Sequence, residues 1–442
     1  MSIAELPEIA ALGHRQQLVR IPPEQDVPIT DRVRRMIDTA AFRRLARISQ
    51  LGLVSQVYPA AHHTRFEHSL GTYRLSLLYL NQLLHVDRFA DCVSVRDAEL
   101  FVLATLVHDI GHWPFCHLIE DLCLPDLPAH ENLAAGFLQT DEITELLTRD
   151  WNVNAADLMR LLAGPRQSQS EQLLGSLLSG PIDVDKMDYL SRDSLHAGVP
   201  YGQHFDRQRL IGSLCVNEAG NGLAITDKGR TAAEMMVFAR YVMFSEVYWH
   251  HAVRSATAMF QRSFYRLLPQ LDLDSLFLLE EQPFQHRLLE ASAGSDVRQH
   301  LEGLFGARRQ LFKRWTEYSL VDNSELYRRL ARQPYPWLCQ LSEQLAEILS
   351  SQINRTVRAD DILVDVPPQK LEVEFNVPVH YPKQHRYCML GDVSPVVQTL
   401  AQRQFDDHVK RVRIFVEPGL SGILPTGPAA DEAIATALEA IS

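Results

Sequence analysis

Leu106-Val107-His108-Asp109-Ile110-Gly111-His112-Trp113-Pro114-Phe115-Cys116-His117 is the stretch whose reading decides the fold. A nearly unbroken apolar run, Leu100 to Val107, leads into adjacent imidazole and carboxylate side chains, and two further histidines follow within nine residues. With its polar extension the run is longer than an ordinary core strand and lacks Gly or Pro, so it predicts a buried helix. That helix carries a histidine and a carboxylate to the edge of a packed interior, where a metal is partly shielded from water. Gly111 then loosens the helix, and Pro114 ends or kinks it nearby. One histidine in a core is usually a hydrogen-bonded core residue. Three with an Asp at this density point to a site.

The chain has 442 residues, room for about two to three ordinary domains or one large helical domain with an appendage. Apolar residues make up 46% and charged residues 22%, as in soluble globular proteins. Cys92, Cys116, Cys123, Cys215, Cys339 and Cys388 form no C-x-x-C pair. They read as reduced thiols of a cytoplasmic protein, neither a disulfide framework nor a zinc ribbon. Met1 to Ala11 holds Glu5 and Glu8 and no basic start, so no secretory leader is expected. No apolar run approaches the ~20 residues needed to span a bilayer, so no membrane partner is expected. The formal charge of −12 repels nucleic acid and anionic membranes, so nucleic acid is a disfavoured partner. An anionic ligand requires a local cluster of Lys and Arg.

Residues 1–30, with Pro7, Pro22, Pro23 and Pro28, read as an irregular arm. From the N-cap at Thr30-Asp31, helical spacing runs to Gln50 through Val33, Ile37, Ala40, Ala41, Leu45 and Ile48, until Gly52 ends it. Its other face carries Arg32, Arg34, Arg35, Arg43, Arg44 and Arg47, either a solvated face or a phosphate or subunit contact. The next helix buries Leu70, Tyr73, Leu77, Leu80 and Leu84 and holds His68 in its first turn. His130 starts another helix, and residues 140–180 read as helix-loop-helix around the polar loop Gly164 to Ser168. On a helix after Gly180-Pro181, Asp185, Tyr189 and Arg192 share a face, and Lys186, Tyr189 and Asp193 lie close together, as a ligand-binding stripe. A hairpin strand at 223–229 precedes a long helix from Thr231 to about Leu268, with Arg240, Phe244, Tyr248 and His251 on one side. Strands at 362–367 and 409–416 flank a helix from Ser394 to about Phe405, and the residues from Pro425 are loose or a short peripheral helix. The expected fold is mostly α: an arm (1–30), a catalytic domain (31–270), a helical extension (271–360) and a small α+β C-terminal region (361–442).

Collecting acids and imidazoles gives His68, His108, Asp109 and Asp185 as a candidate metal set. Two imidazoles with two carboxylates suit one divalent ion, Mn²⁺, Fe²⁺, Co²⁺, Ni²⁺ or Zn²⁺, with Mg²⁺ a candidate companion of the substrate. His112, His117 and His130 remain as acid–base groups, and Glu120, three residues after His117, is placed to orient that ring. Arg65, Lys186, Arg192 and Arg240 supply the local positive charge. Metal, imidazoles and cations together point to hydrolysis of a phosphate ester or anhydride.

The blocks Arg65-Phe66-Glu67-His68-Ser69-Leu70-Gly71, His108-Asp109 through His117, and Asp183-Val184-Asp185-Lys186-Met187-Asp188-Tyr189-Leu190 closely resemble the HD-domain phosphohydrolases. Within them the match is to the deoxynucleoside triphosphate triphosphohydrolases, which include bacterial dGTPase-like enzymes and the animal sterile-alpha-motif/HD-domain enzyme. The resemblance runs from about Ile37 to Arg254 and resumes weakly at Asp360 to Pro367. The H…HD…D pattern is widely shared; the Asp185-Lys186-x-Asp188-Tyr189 and R-F-E-H-S-L-G blocks are more specific.

The resemblance implies a helical HD fold with His68, His108, Asp109 and Asp185 on the metal. It also implies His112, His117 and His130 around the scissile α-phosphate, with Glu120 supporting His117. Arg65, Lys186 and Arg240 match phosphate contacts; Tyr189, Asp193 and Tyr248 match residues near the deoxyribose and phosphates; Gln50 and Leu51 match the pair lining the sugar edge. The implied substrate is a dNTP or related nucleotide, cleaved with water to deoxynucleoside and inorganic triphosphate by a homo-oligomer, dimer or tetramer. Departures are informative. Ala46 stands where activator-dependent members carry an arginine, and Asp26 to Thr30 replaces their basic arm, which argues against a dGTP-gated site although Asp38 is present. His251 replaces a common Lys, weakening one phosphate contact, and Trp113 replaces a Gly, narrowing the pocket mouth. The alternatives are an HD-type phosphatase or phosphodiesterase acting on another nucleotide, and a nucleotide or single-stranded nucleic-acid binding protein without turnover. The absence of a second spaced pair of ligand-like histidines weighs against the dinuclear phosphodiesterase. The intact ligand set and the acidic charge weigh against the binding protein.

Overall fold

The helices that set the site are Arg65–Leu83 (α1), Val95–Val107 (α2), Cys116–Glu120 (α3), His130–Leu138 (α4), Val184–His196 (α5), Arg230–Met243 (α6) and His251–Leu267 (α7). They are seen in a computed structural model that describes residues 2–23, 25–367, 376–402 and 409–441. Caps decide where the central three begin. Thr64, Ser94 and Asp183 stand in extended backbone before α1, α2 and α5, and each side chain accepts from the backbone N–H three residues on. Tyr73, Leu77 and Leu80 of α1, Leu103 and Leu106 of α2, and Met187 and Leu190 of α5 are fully buried in one cluster. α1 and α5 approach closely at Gly71, where a Cβ would overlap the Asp188 and Arg192 side chains.

The helix expected from Asp31 to Gln50 is broken into Asp31–Ile37, Ala40–Arg44 and a 3₁₀ turn Leu45–Arg47. Thr39 makes the break: its hydroxyl donates to the Met36 carbonyl and accepts from the Phe42 N–H, capping a new helix where the first should continue. Four arginines of the basic face are tied within the molecule: Arg32 to Glu8 and Glu99, Arg35 to Asp150, Arg44 to the carbonyls of Phe277 and Leu278, and Arg47 to Glu280. The first thirty residues are also more regular than their prolines suggest. Ile3, Leu6 and Ile9 are buried in the main core, and Leu18–Ile21 (β1) pairs antiparallel with Gln25–Pro28 (β2). Between 140 and 180 there are three helices, Asp141–Trp151, Ala155–Leu162 and Gln169–Ser179, with Asn152 in left-handed backbone (φ 50°) ending the first.

The long helix expected from Thr231 to Leu268 is α6 and α7 joined by a π-helical turn, Phe244–Tyr248. Such a turn adds a residue to the helical ladder and re-aims the side chains after it. The remaining strands are Leu214–Val216 (β3), Leu223–Thr226 (β4), Lys313–Tyr318 (β5), Ile362–Asp365 (β6), Pro378–Tyr381 (β7), Arg386–Met389 (β8) and Val412–Val416 (β9). They form sheets ordered β3-β4-β7-β8 and β5-β9-β6. β7 lies parallel to β4, while β9 is antiparallel to both its neighbours. Strands from beyond residue 360 therefore complete sheets begun earlier in the chain. The helix expected from Ser394 is described over Pro395–Gln402; its expected continuation at 403–405 lies outside the described residues. At the end of the chain, Pro428–Ala440 buries Ala433, Ile434 and Ala437 against Leu341, Leu345 and Leu349 of Tyr335–Ile353. The molecule is mostly helical, and among the described residues no helix is long and apolar enough to cross a membrane.

Candidate metal centre and phosphate site

α2 ends at Val107, a turn earlier than Gly111 suggested, and His108 is its C-cap residue. His108 Nδ1 donates to the Thr105 carbonyl at 2.9 Å, and His68 Nδ1 donates to Asp188 Oδ2 at 2.8 Å. A carbonyl and a carboxylate only accept, so both Nδ1 atoms carry hydrogen and both Nε2 atoms turn inward. The two Nε2 atoms stand 3.3 Å apart, and Asp185 Oδ1 is 3.0 Å from that of His68. Donor atoms of His68, His108 and Asp185 all lie within 4.8 Å of one another. Two imidazole nitrogens, each fixed from behind, facing a carboxylate fit a borderline divalent cation. Metal and proton compete for this position. Burial disfavours a charged His68, yet its hydrogen bonds with Asp185 and Asp188 outweigh that and lift it to about 10. Metal uptake therefore releases a proton.

Asp109 stands to one side of this trio. Its Oδ1 is 3.4 Å from His108 Nε2 and 3.2 Å from His112 Nδ1, and its Oδ2 accepts from Arg65 at 2.9 Å. Burial would raise its pKa, but the charges of His112, His108 and Arg65 hold it well below the carboxylate range. Asp188 is a site residue that sequence reasoning did not assign. Its signal was the D-x-x-D spacing from Asp185, which aims both carboxylates at His68. Arg192, expected to face an anion, is 1% exposed and spends its guanidinium on both oxygens of Asp188 at 2.8 Å and on Glu67. It braces the brace.

A second group of imidazoles lies next to the first. The His112 ring centroid is 4.1 Å from His130 and 5.1 Å from His117. Gly111 permits this, since a Cβ there would strike the His130 carbonyl and the Ala134 backbone at the start of α4. Glu120 accepts from His130 Nδ1 at 2.8 Å and from its backbone N–H at 3.1 Å, while His117 Nδ1 is 3.4 Å away. Glu120 thus faces both rings, the expected His117 and, more closely, His130. Burial, then the Arg65 charge, pushes His112 well below the ordinary histidine value. His130 moves the other way: burial lowers it, but the Glu120 hydrogen bond and charge raise it overall. Neighbouring rings of opposite protonation tendency suit an acid–base pair. Trp113 does not reach a pocket mouth. It is fully buried and stacks on Phe277 at 4.2 Å in a separate core cluster.

At the far end, Asp193 accepts from the Tyr248 hydroxyl at 2.6 Å and from His63 Nε2 at 2.8 Å. Tyr248 closes the π turn, and its phenol is pushed well above its usual value by burial and the Asp193 charge. Arg240 is buried near Tyr189 and Tyr248, where its charge opposes the rise that burial imposes on their phenols, and Lys186 donates to Asp183 at 2.7 Å. The Gln50 N–H donates to the His63 carbonyl at 2.9 Å, which sets Gln50 and Leu51 beside the 63–65 segment. His63 was also missed; nothing in its sequence neighbourhood names Asp193 as its partner.

Residues 65–193 match the HD domain family, and residues 205–418 match the HD associated region. An uncharacterized protein of Methanocaldococcus jannaschii is 28% identical over 87% of this chain and 76% of its own length. The deoxynucleoside triphosphate triphosphohydrolase SAMHD1 of Xenopus laevis is 28% identical over 54% of this chain, and the match spans 44% of that protein. The crystal structure of a hypothetical protein from Aquifex aeolicus superposes with a TM-score of 0.69 at 27% identity, covering 95% of this chain and 98% of the other.

Proposed function

Because the chain belongs to the HD-domain phosphohydrolases, we propose that it is a divalent-metal-dependent dNTP triphosphohydrolase, converting dNTP and water to deoxynucleoside and inorganic triphosphate. The observation that carries this reading is the convergence of His68 and His108 Nε2 on Asp185, with the His112, His117 and His130 rings alongside. A divalent ion held by His68, His108, Asp185 and the flanking Asp109 would polarise a phosphoryl oxygen and acidify water. Arg65, Lys186 and Arg240 neutralise the triphosphate, which the net charge of −12 would otherwise repel. Neutral His112 accepts the proton of the attacking water. His130, whose hold on a proton the Glu120 carboxylate strengthens, gives a proton to the departing 5′ oxygen. His117 lines the same phosphate. Tyr189, Tyr248 and Asp193 hold the sugar, with Gln50 and Leu51 along the edge where a 2′-hydroxyl would clash. The donor set suits Mn²⁺, Fe²⁺, Co²⁺, Ni²⁺ or Zn²⁺ as the metal.

The test is incubation of the protein with each dNTP and Mn²⁺, with ion-exchange separation of the products. Free triphosphate plus deoxynucleoside is expected. Orthophosphate release, or no turnover with any dNTP, sinks the reading in favour of a phosphatase of another nucleotide or a binding protein.

A further inference from the structure

Two overlapping groups of potential ligands share one sulfur. His112, Cys116 and His117 offer donor atoms within 4.8 Å of one another, and so do Cys116, Glu120 and His130. The His68, His108 and Asp185 group offers only nitrogen and oxygen. Among the described residues, Cys116 is the only cysteine in such a group. From this we propose that Cys116 centres a second cation site, distinct from the first, which takes a thiophilic divalent ion such as Zn²⁺ or Cd²⁺ through Cys116, His112 and His117.

The chemistry of the donors separates the two sites. Thiolate with imidazole selects soft or borderline ions, whereas carboxylate with imidazole also accepts Mn²⁺. Zinc bond lengths place neighbouring donors of a tetrahedral site about 3.4–3.8 Å apart, inside the 4.8 Å span within which these three donor atoms lie. His112 and Cys116 are buried, whereas the His117 side chain is 61% exposed and reaches the site from the solvent side, 3.4 Å from Glu120. Phe115, in left-handed backbone (φ 59°), turns the chain between His112 and Cys116 and anchors the turn by ring contacts with Phe260 and Phe284. Glu120, close to the same sulfur and to His130, supplies negative charge at the wall. Loading is balanced by proton release: the thiol S–H breaks, the sulfur–metal bond forms, and the proton leaves to solvent.

A cation here takes up the lone pairs of His112 and His117. The site is therefore inhibitory, a consequence that rests on the roles proposed for those rings above. The binding does not.

The experiment uses the full chain loaded with Mn²⁺, titrated with Co²⁺ and Cd²⁺ while thiolate-to-metal charge-transfer absorption is followed, and with Zn²⁺ while bound metal and dNTP turnover are measured. Wild type is expected to take up about one further thiophilic ion with a charge-transfer band. Cys116→Ser and Cys116→Ala are expected to lose that ion and the band, keep their Mn²⁺ and turnover, and resist zinc inhibition by about tenfold or more. No band in wild type, or a band and zinc stoichiometry unchanged in both variants, overturns the site. If no dNTP is turned over but the band depends on Cys116, the proposed function fails and the site stands.

Discussion

Asp188 shows what a single side chain contributes at the metal. It is not a candidate ligand itself, yet it fixes the hydrogen of His68 on Nδ1 and turns Nε2 toward His108 and Asp185. Asp188→Asn keeps the volume and one accepting oxygen but removes the charge that makes the imidazole a stronger donor. Metal affinity is expected to fall by roughly 10–100-fold, read by elemental analysis after equilibrium dialysis against graded Mn²⁺. Unfolding by urea, followed in parallel, separates this from simple damage, because Arg192 keeps Glu67 as a partner. Unchanged Mn²⁺ affinity in a folded variant would refute the orientation argument.

At the scale of elements, the site depends on how closely helices approach, and Gly111 is one of the points where backbone meets backbone. α4 rests its first turn on the motif turn only because no Cβ intervenes. Gly111→Ala is expected to push His130 away from His112, cutting kcat by about tenfold or more while Mn²⁺ content stays normal, since the contacts that hold His68, His108 and Asp185 run among α1, α2 and α5 and not to α4. A parallel loss of metal would show that the two imidazole groups are not separate units. This geometry also explains what was legible in the sequence. The apolar runs and the caps Thr64 and Asp183 are local signals, and they foretell α1, α2 and α5 with His68, His108 and Asp185 near their ends. The break at Thr39 and the π turn before Trp249 are not local preferences; helical spacing runs straight through both. His63 and Asp188 find partners about 120–130 residues away in sequence, which periodicity does not encode. Trp113 misled for the opposite reason: adjacency to His112 in the chain hid that alternate residues of a tight turn face opposite sides.

In the whole molecule, the C-terminal sheet holds the π turn that carries Tyr248. Trp249 Nε1 donates to the Arg411 carbonyl, Arg413 donates to the Trp249 carbonyl at 2.7 Å, and Arg254 pairs with both oxygens of Asp365 on β6 while lying 4.0 Å over the Trp249 ring. Glu317 on β5 closes the network by accepting from Arg413 and Arg411 at 2.6 Å each. Burial alone would raise the Glu317 pKa, but the hydrogen bond and charge of Arg413, with Arg411 and Arg314, bring it from 4.5 down to about 2. A carboxylate whose folded pKa is depressed stabilises the fold above its unfolded value and loses that contribution as pH falls through the folded value. The window is therefore pH 4.5 down to about 2. With the side chain 17% exposed, the contribution is on the order of 2 kcal/mol after solvent screening. Urea midpoints measured across that range are expected to fall more steeply for wild type than for Glu317→Gln, with the two curves separated at neutral pH and converging near pH 2. Parallel curves would mean that Glu317 carries no charge-dependent share of the fold, and that β5 and β9 are held by their apolar faces alone.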